Sequence, residues 1–129
     1  MIVKVKGTDE ILGGYNPLAW DNNVNGTWGE WMETKDSFIF SLKNGTVQNS
    51  IFSRVKRPDC AILYQHKLDQ KMGGPHFGDF YLYSKKSNFT LDDCNYCDII
   101  GTYYEKPIRT SSKKFSIVNY ELFKVIKKN

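Results

Sequence analysis

Asp36-Ser37-Phe38-Ile39-Phe40-Ser41-Leu42 reads as a strand. Side chains alternate between faces with a period of two, so Phe38, Phe40 and Leu42 share one face while Ser37, Ile39 and Ser41 share the other. Asn44-Gly45, a turn dipeptide, follows and reverses the chain. Outward from this stretch the same grammar repeats. Ile51–Val55 and Cys60–Tyr64 are short strand candidates on either side of an Arg57-Pro58-Asp59 turn, the first with a short helix as its alternative. Upstream, Ile2, Lys4 and Lys6 alternate with Val3 and Val5. Gly7-Thr8-Asp9-Glu10 then turns the chain into Ile11-Leu12-Gly13-Gly14-Tyr15, predicting a hairpin that Asn16-Pro17 terminates.

Residues 21–35 are polar and predict a loop pinned by Trp20, Trp28 and Trp31. Gly73-Gly74-Pro75-His76-Phe77-Gly78 predicts a loop with unusual backbone angles, leading into the strand Asp79–Tyr83. Residues 84–114 are irregular, and Phe115–Ile126, apolar at even and odd positions alike, predicts a strand buried on both faces. No amphipathic helix of useful length and no internal repeat interrupts the pattern. Short strands joined by Gly, Asn and Pro turns make the chain mainly β, an antiparallel sandwich or barrel.

The 129 residues suit one domain, residues 1–129. Hydrophobic residues at 40% and aromatics at 15% exclude a disordered chain. The net charge of +4 is scattered. Its densest stretch, Lys113, Lys114, Lys124, Lys127 and Lys128, is split by an apolar run and reads as solvated surface rather than as a nucleic-acid site. Three cysteines form no disulfide framework, no apolar run reaches the ~20 residues of a membrane helix, and no signal-peptide core is present. A cytoplasmic location is therefore expected, with the sequons at Asn25, Asn44 and Asn88 serving as turns.

The last strand places Asn119 and Glu121 on one face among apolar neighbours, and Asp36 shares a face with Phe38 and Phe40. Carboxylates on core-facing positions need donors or water, and two of them suggest an acid–base pair. The alternative, which we prefer, is that each accepts backbone N–H groups and fixes a loop. His76 sits in the glycine segment without a marked nucleophile, and His66 is the other histidine. Cys94-x-x-Cys97 has the spacing of a redox pair or half a zinc site, but lacks further ligands, and its acidic surroundings raise thiol pKa values. The glycine segment lacks the phosphate-cradle pattern. No metal or cofactor is expected. Exposed Trp28 and Trp31 leave sugar binding as a minor alternative.

These motifs, in this order, resemble the TLDc domain of oxidation-resistance proteins. Lys4–Thr8 with Ile11–Pro17 resembles its first hairpin, closest to the version in fungal proteins that also carry a BTB module. Thr34–Phe40 resembles its G-E-T-F-L-F strand. Gly73–Gly78 with Asp79–Tyr83 resembles its glycine-rich segment and following strand, and Phe115–Phe123 its closing F-x-I-x-D-x-E-I-W strand. Asp36 stands for the family glutamate, Asn119 for an aspartate and Phe123 for a tryptophan. The resemblance implies a two-sheet antiparallel sandwich with few short helices, truncated here at the N-terminus because the family's upstream helical stretch is absent. It implies no established catalysis, a role in oxidative-stress protection, and binding to the vacuolar proton pump (V-ATPase). On this reading Gly13, Gly14, Asp36, Gly73, Gly74, Phe77, Gly78, Asn119 and Glu121 shape the binding surface, and an uncovered sheet edge permits dimerisation. Two alternatives accompany it: an arm of a BTB-type adaptor, and a weak hydrolase or peroxide-handling enzyme using Asp36, His76 and Glu121.

Overall fold

Alternating burial along Ile2–Val5, with Val3 and Val5 inward and Ile2 and Lys4 outward, starts a β-sandwich in which each strand gives one set of side chains to a common interior. In a computed structural model the described residues are 1–18, 30–43, 50–64, 73–86 and 88–123. They contain ten strands in two antiparallel five-stranded sheets. The first sheet runs β10-β1-β2-β4-β5, built from Ile2–Val5 (β1), Ile11–Tyr15 (β2), Phe38–Leu42 (β4), Ile51–Arg54 (β5) and Ile117–Glu121 (β10). The second runs β3-β6-β7-β8-β9, from Glu30–Met32 (β3), Ile62–Tyr64 (β6), Gly73–His76 (β7), Phe80–Tyr83 (β8) and Tyr96–Cys97 (β9). Pro58–Cys60 forms a 3-10 turn, and no longer helix occurs among the described residues. None is long and apolar enough to cross a membrane.

The interior is closed by side chains from both sheets. Val3, Val5, Leu12, Ile39 and Ile117 come from the first, and Ile62, Phe80, Leu82 and Cys97 from the second, with Phe77, Tyr104 and Ile108 from connecting segments. Gly14 sets the spacing at one point, because a Cβ there would sit 2.6–2.8 Å from three atoms of the Phe77 ring. Tyr104 ties the layers by polar contacts. Its hydroxyl lies 2.8 Å from the Ala61 carbonyl and 2.7 Å from Ser37 Oγ, and Ser37 Oγ lies 2.9 Å from the Tyr15 carbonyl. Two hydroxyl protons serve three contacts, so one proton is shared between two acceptors. The phenol is fully buried, and desolvation holds its pKa far above the ordinary tyrosine value.

Several expectations hold: the Ile2–Lys6/Ile11–Tyr15 hairpin, the strand at 38–42, strand rather than helix at 51–54, and the strand at 80–83. Four are corrected. The alternation across residues 36–42 is present, but its buried face is Ser37, Ile39 and Ser41, while Phe38, Phe40 and Leu42 lie outward and half-buried. The cause is local. Phe38 and Phe40 pack on Tyr15, Phe52 and one another across the outer face (centroids 4.5–6.4 Å), and Ser37 is needed inside as a partner for Tyr104.

The last strand is not buried on both faces: after Ile117 every residue to Phe123 is exposed, because β10 is the sheet's edge among the described residues. Gly73 and Gly74 form strand rather than loop, with Phe89 laid over Gly74 where a Cβ would stand, and Pro75 falls at the register irregularity. Positive φ in this segment occurs at Gly78 alone (+70°). The 21–35 loop contains β3, while Trp20, Trp28, His66, Asn25 and Asn44 lie outside the described residues.

Candidate functional site

The outer face of the second sheet carries a continuous row of side chains. Strand register aligns Trp31 with Leu63, Leu63 with His76, His76 with Tyr81 and Tyr81 with Tyr96, one position from each of five strands. The rings touch. His76 stacks on Tyr81 at 4.6 Å and 8°, meets Trp31 edge-on at 5.8 Å, and Tyr81 packs on Tyr96 at 5.5 Å. Tyr103 extends the row beyond Trp31 (5.4 Å), with the Arg57 guanidinium 5.9 Å from its ring centroid. Trp31 is 37% exposed and the others half-buried, so the row is open to solvent.

The row is held from beneath by a short turn. Gly78 takes its positive φ there and donates its N–H to His76 Nδ1 at 3.1 Å, an arrangement open only to a neutral ring with its proton on Nε2. Burial pushes the His76 pKa down to about 4, in the same direction. A Cβ on Gly78 would lie 3.0 Å from the Cys60 carbonyl and from Tyr103 Cβ. The next residue, Asp79, is the one buried carboxylate among the described residues. Its oxygens accept the N–H groups of Tyr103 (3.0 Å) and Tyr104 (2.8 Å), and its carbonyl accepts the Asp98 N–H at 2.6 Å. Desolvation raises the Asp79 pKa against those hydrogen bonds. One aspartate therefore fixes the 98–104 segment, aiming Tyr103 outward to Trp31 and Tyr104 inward to Ser37.

This is the loop-fixing carboxylate expected of Asp36 and Glu121, found at another residue. Asp36 is exposed and precedes β4, and its own N–H bonds Thr34 Oγ1 at 3.1 Å. Glu121 and Asn119 are exposed on the outer face of β10, opposite Ile2 and Lys4. The expectation that these positions face the core is overturned. The expected binding set also divides. Gly14 and Phe77 meet in the interior, Gly73, Gly74 and Gly78 support the second sheet, and Gly13 lies under the Phe40 ring on the outer face of the first. Asp36, His76 and Glu121 do not share a cleft: β4 and β10 are separated by β1 and β2, about 14 Å at ~4.8 Å per strand, and His76 faces out of the other sheet.

Cys94 and Cys97 are buried and unpaired, and burial pushes the Cys97 pKa up to about 12. No group of three metal-ligating side chains gathers among the described residues. Two further anchors were not anticipated. Asn95 is fully buried, accepts the Tyr83 N–H and donates to the Phe89 and Phe115 carbonyls, so both amide hydrogens and the amide oxygen are engaged. Arg109 pairs with Glu10 at 2.9 Å and lies 4.5 Å from the Phe115 ring centroid. The sequence signal for Asp79 was its place directly after a glycine turn and at the head of an apolar strand.

Compared with protein families, the chain matches the model described as TLD: TLDc domain over residues 1–126. No curated protein and no solved structure gives a match.

Proposed function

From the chain's membership of the TLDc-domain family, which its match over residues 1–126 shows, we propose that it acts as a non-catalytic protein-binding module in oxidative-stress protection. The partner is a subunit of the V-ATPase, met in the cytoplasm. The family match is the observation that carries this reading. The dispersal of Asp36, His76 and Glu121 over two outer faces supports the non-catalytic part, since acid–base chemistry needs its groups within hydrogen-bond or one-water reach of a common substrate. The contact surface best supported is the Trp31–His76–Tyr81–Tyr96 row. Rigid aromatic side chains contribute large contact area at little entropic cost, and Trp and Tyr dominate binding energy at interfaces.

The test is a pull-down from detergent-solubilised vacuolar membranes with the 129-residue chain as bait. Pump subunits are enriched by the native chain and lost with Trp31→Ala or Tyr81→Ala in chains that circular dichroism shows still folded at the assay temperature. Failure of the native chain to enrich any pump subunit refutes the partner. A peroxide-consumption or esterase rate that falls in Glu121→Gln refutes the non-catalytic reading.

A further inference from the structure

We propose that β10 is a self-association edge, along which two copies of this chain pair antiparallel about a two-fold axis through Tyr120. This goes beyond the partner-binding reading and stands without it.

The backbone sets the phase. Met1 and Gly14 exchange both hydrogen bonds (2.8 and 3.0 Å), and the Val5 N–H donates to the Glu10 carbonyl at 3.0 Å. Residues 1, 3 and 5 therefore direct their N–H and C=O groups at β2, and residues 2 and 4 direct theirs at β10. Ile2 is opposite Glu121 and Lys4 opposite Asn119, so those two β10 residues spend their backbone groups on β1. Tyr120 between them, and Leu122 beyond, point theirs away from the sheet, where no strand follows among the described residues. The register slip at Lys4/Val5 makes Val118 the extra residue at the start of this edge.

A two-fold at Tyr120 matches these groups to themselves. Tyr120 exchanges both hydrogen bonds with Tyr120 of the second copy, Val118 falls opposite Leu122, and Asn119 falls opposite Glu121. The last contact sets an amide donor against a carboxylate twice per dimer. The exposed side chains are apolar out of proportion to an edge: Val118 is 52%, Tyr120 39%, Leu122 50% and Phe123 59% exposed. Edges that stay single are blunted by Lys, Pro or covering loops. From Ile117 to Phe123 the sole charge is Glu121. The opposite edge of the same sheet, β5, is covered, with the Glu105 N–H on the Arg54 carbonyl at 2.9 Å and the Lys106 N–H on Ser53 Oγ at 2.8 Å.

A five-residue edge is smaller than a standard interface of ~1,600 Å², so the dimer is expected to be weak, with a Kd of ~10–100 μM. Sedimentation velocity of the 129-residue chain from about 5 to about 500 μM tests it. The native chain shifts from monomer to dimer across this range. Asn119→Asp sets two carboxylates face to face in the dimer while gaining a cross-strand partner in Lys4 within each copy. It raises Kd roughly ten-fold, less at high salt, and leaves the melting temperature unchanged or higher. Tyr120→Pro removes an N–H that β1 does not use, and abolishes the dimer. A native chain that stays monomeric throughout overturns the proposal. So does a dimer that survives both substitutions, and one insensitive to Asn119→Asp overturns the register.

Discussion

Replacing Gly14 with alanine tests whether the separation of the two sheets is set by direct contact between a backbone and a ring. The added Cβ would stand 2.6, 2.7 and 2.8 Å from Phe77 Cζ, Cε2 and Cε1, all inside ordinary contact. Phe77 is fully buried, packed with Phe80 at 6.3 Å, and has no solvent side to swing toward. Overpacking a closed core costs about 1–3 kcal/mol, and three ring atoms met at once place this site near the top of that range. Alanine also stiffens the unfolded chain, which returns about 0.5–1 kcal/mol.

The net loss is about 2 kcal/mol, a fall in Tm of roughly 6–10 °C for a chain of this size. Thermal unfolding followed by circular dichroism and calorimetry measures it. The decisive comparison is with the double variant Gly14→Ala/Phe77→Leu. Leucine vacates the space the Cβ needs, so the two changes couple favourably by at least ~1 kcal/mol in a double-mutant cycle. A Gly14→Ala chain within 2 °C of native, or additive effects in the cycle, would show that the sheets are spaced by something else.

Three further outcomes are expected. His76 is neutral in the fold with a pKa of about 4 against 6.5 unfolded, so its contribution is complete above pH 6.5 and is lost as pH falls toward 4. The effect is at most about 3 kcal/mol, reduced by the solvent that reaches the ring. His76→Phe flattens that limb of a urea-midpoint-versus-pH curve, and an unchanged limb refutes the assignment. Tyr104→Phe strands the Ala61 carbonyl in the core and costs about 1–3 kcal/mol by urea unfolding at unchanged m-value; a loss below ~0.5 kcal/mol means the hydroxyl is not the tie between sheets. Cys97 resists iodoacetamide at pH 8 in the native chain and reacts in urea, with mass-spectrometric alkylation of the native thiol as the contrary result.

What the sequence made legible was local. Alternation and turn chemistry located the first hairpin and strands 38–42, 51–54 and 80–83, because each depends on a period-two pattern bounded by Gly, Asn or Pro. What it concealed depends on neighbours far along the chain. Nothing within residues 36–42 reveals that the serine face is the inward one; that is decided by Tyr104 and by the aromatic cluster with Tyr15 and Phe52. Apolar residues on both faces of 117–123 read as a central strand because periodicity reports hydrophobicity and not sheet position. Glu121 was thereby given a core setting that belongs to Asp79, whose burial follows from two N–H groups 24 and 25 residues away. The aromatic row was illegible for the same reason: its members come from five segments, and only register brings them into line.

The pairing of β1 with β10 has a consequence for how the fold is reached during synthesis. β1 lies inside its sheet, but one of its neighbours follows it by roughly 110 residues. At ~5–20 residues per second the ribosome takes on the order of 6–22 s to deliver that neighbour. Through that interval the growing chain holds β1 without its β10 partner, with Val3 and Val5 on one face. The sheet closes only when its far end emerges, which makes the span between hairpin and closing strand the period in which a chaperone has most to protect.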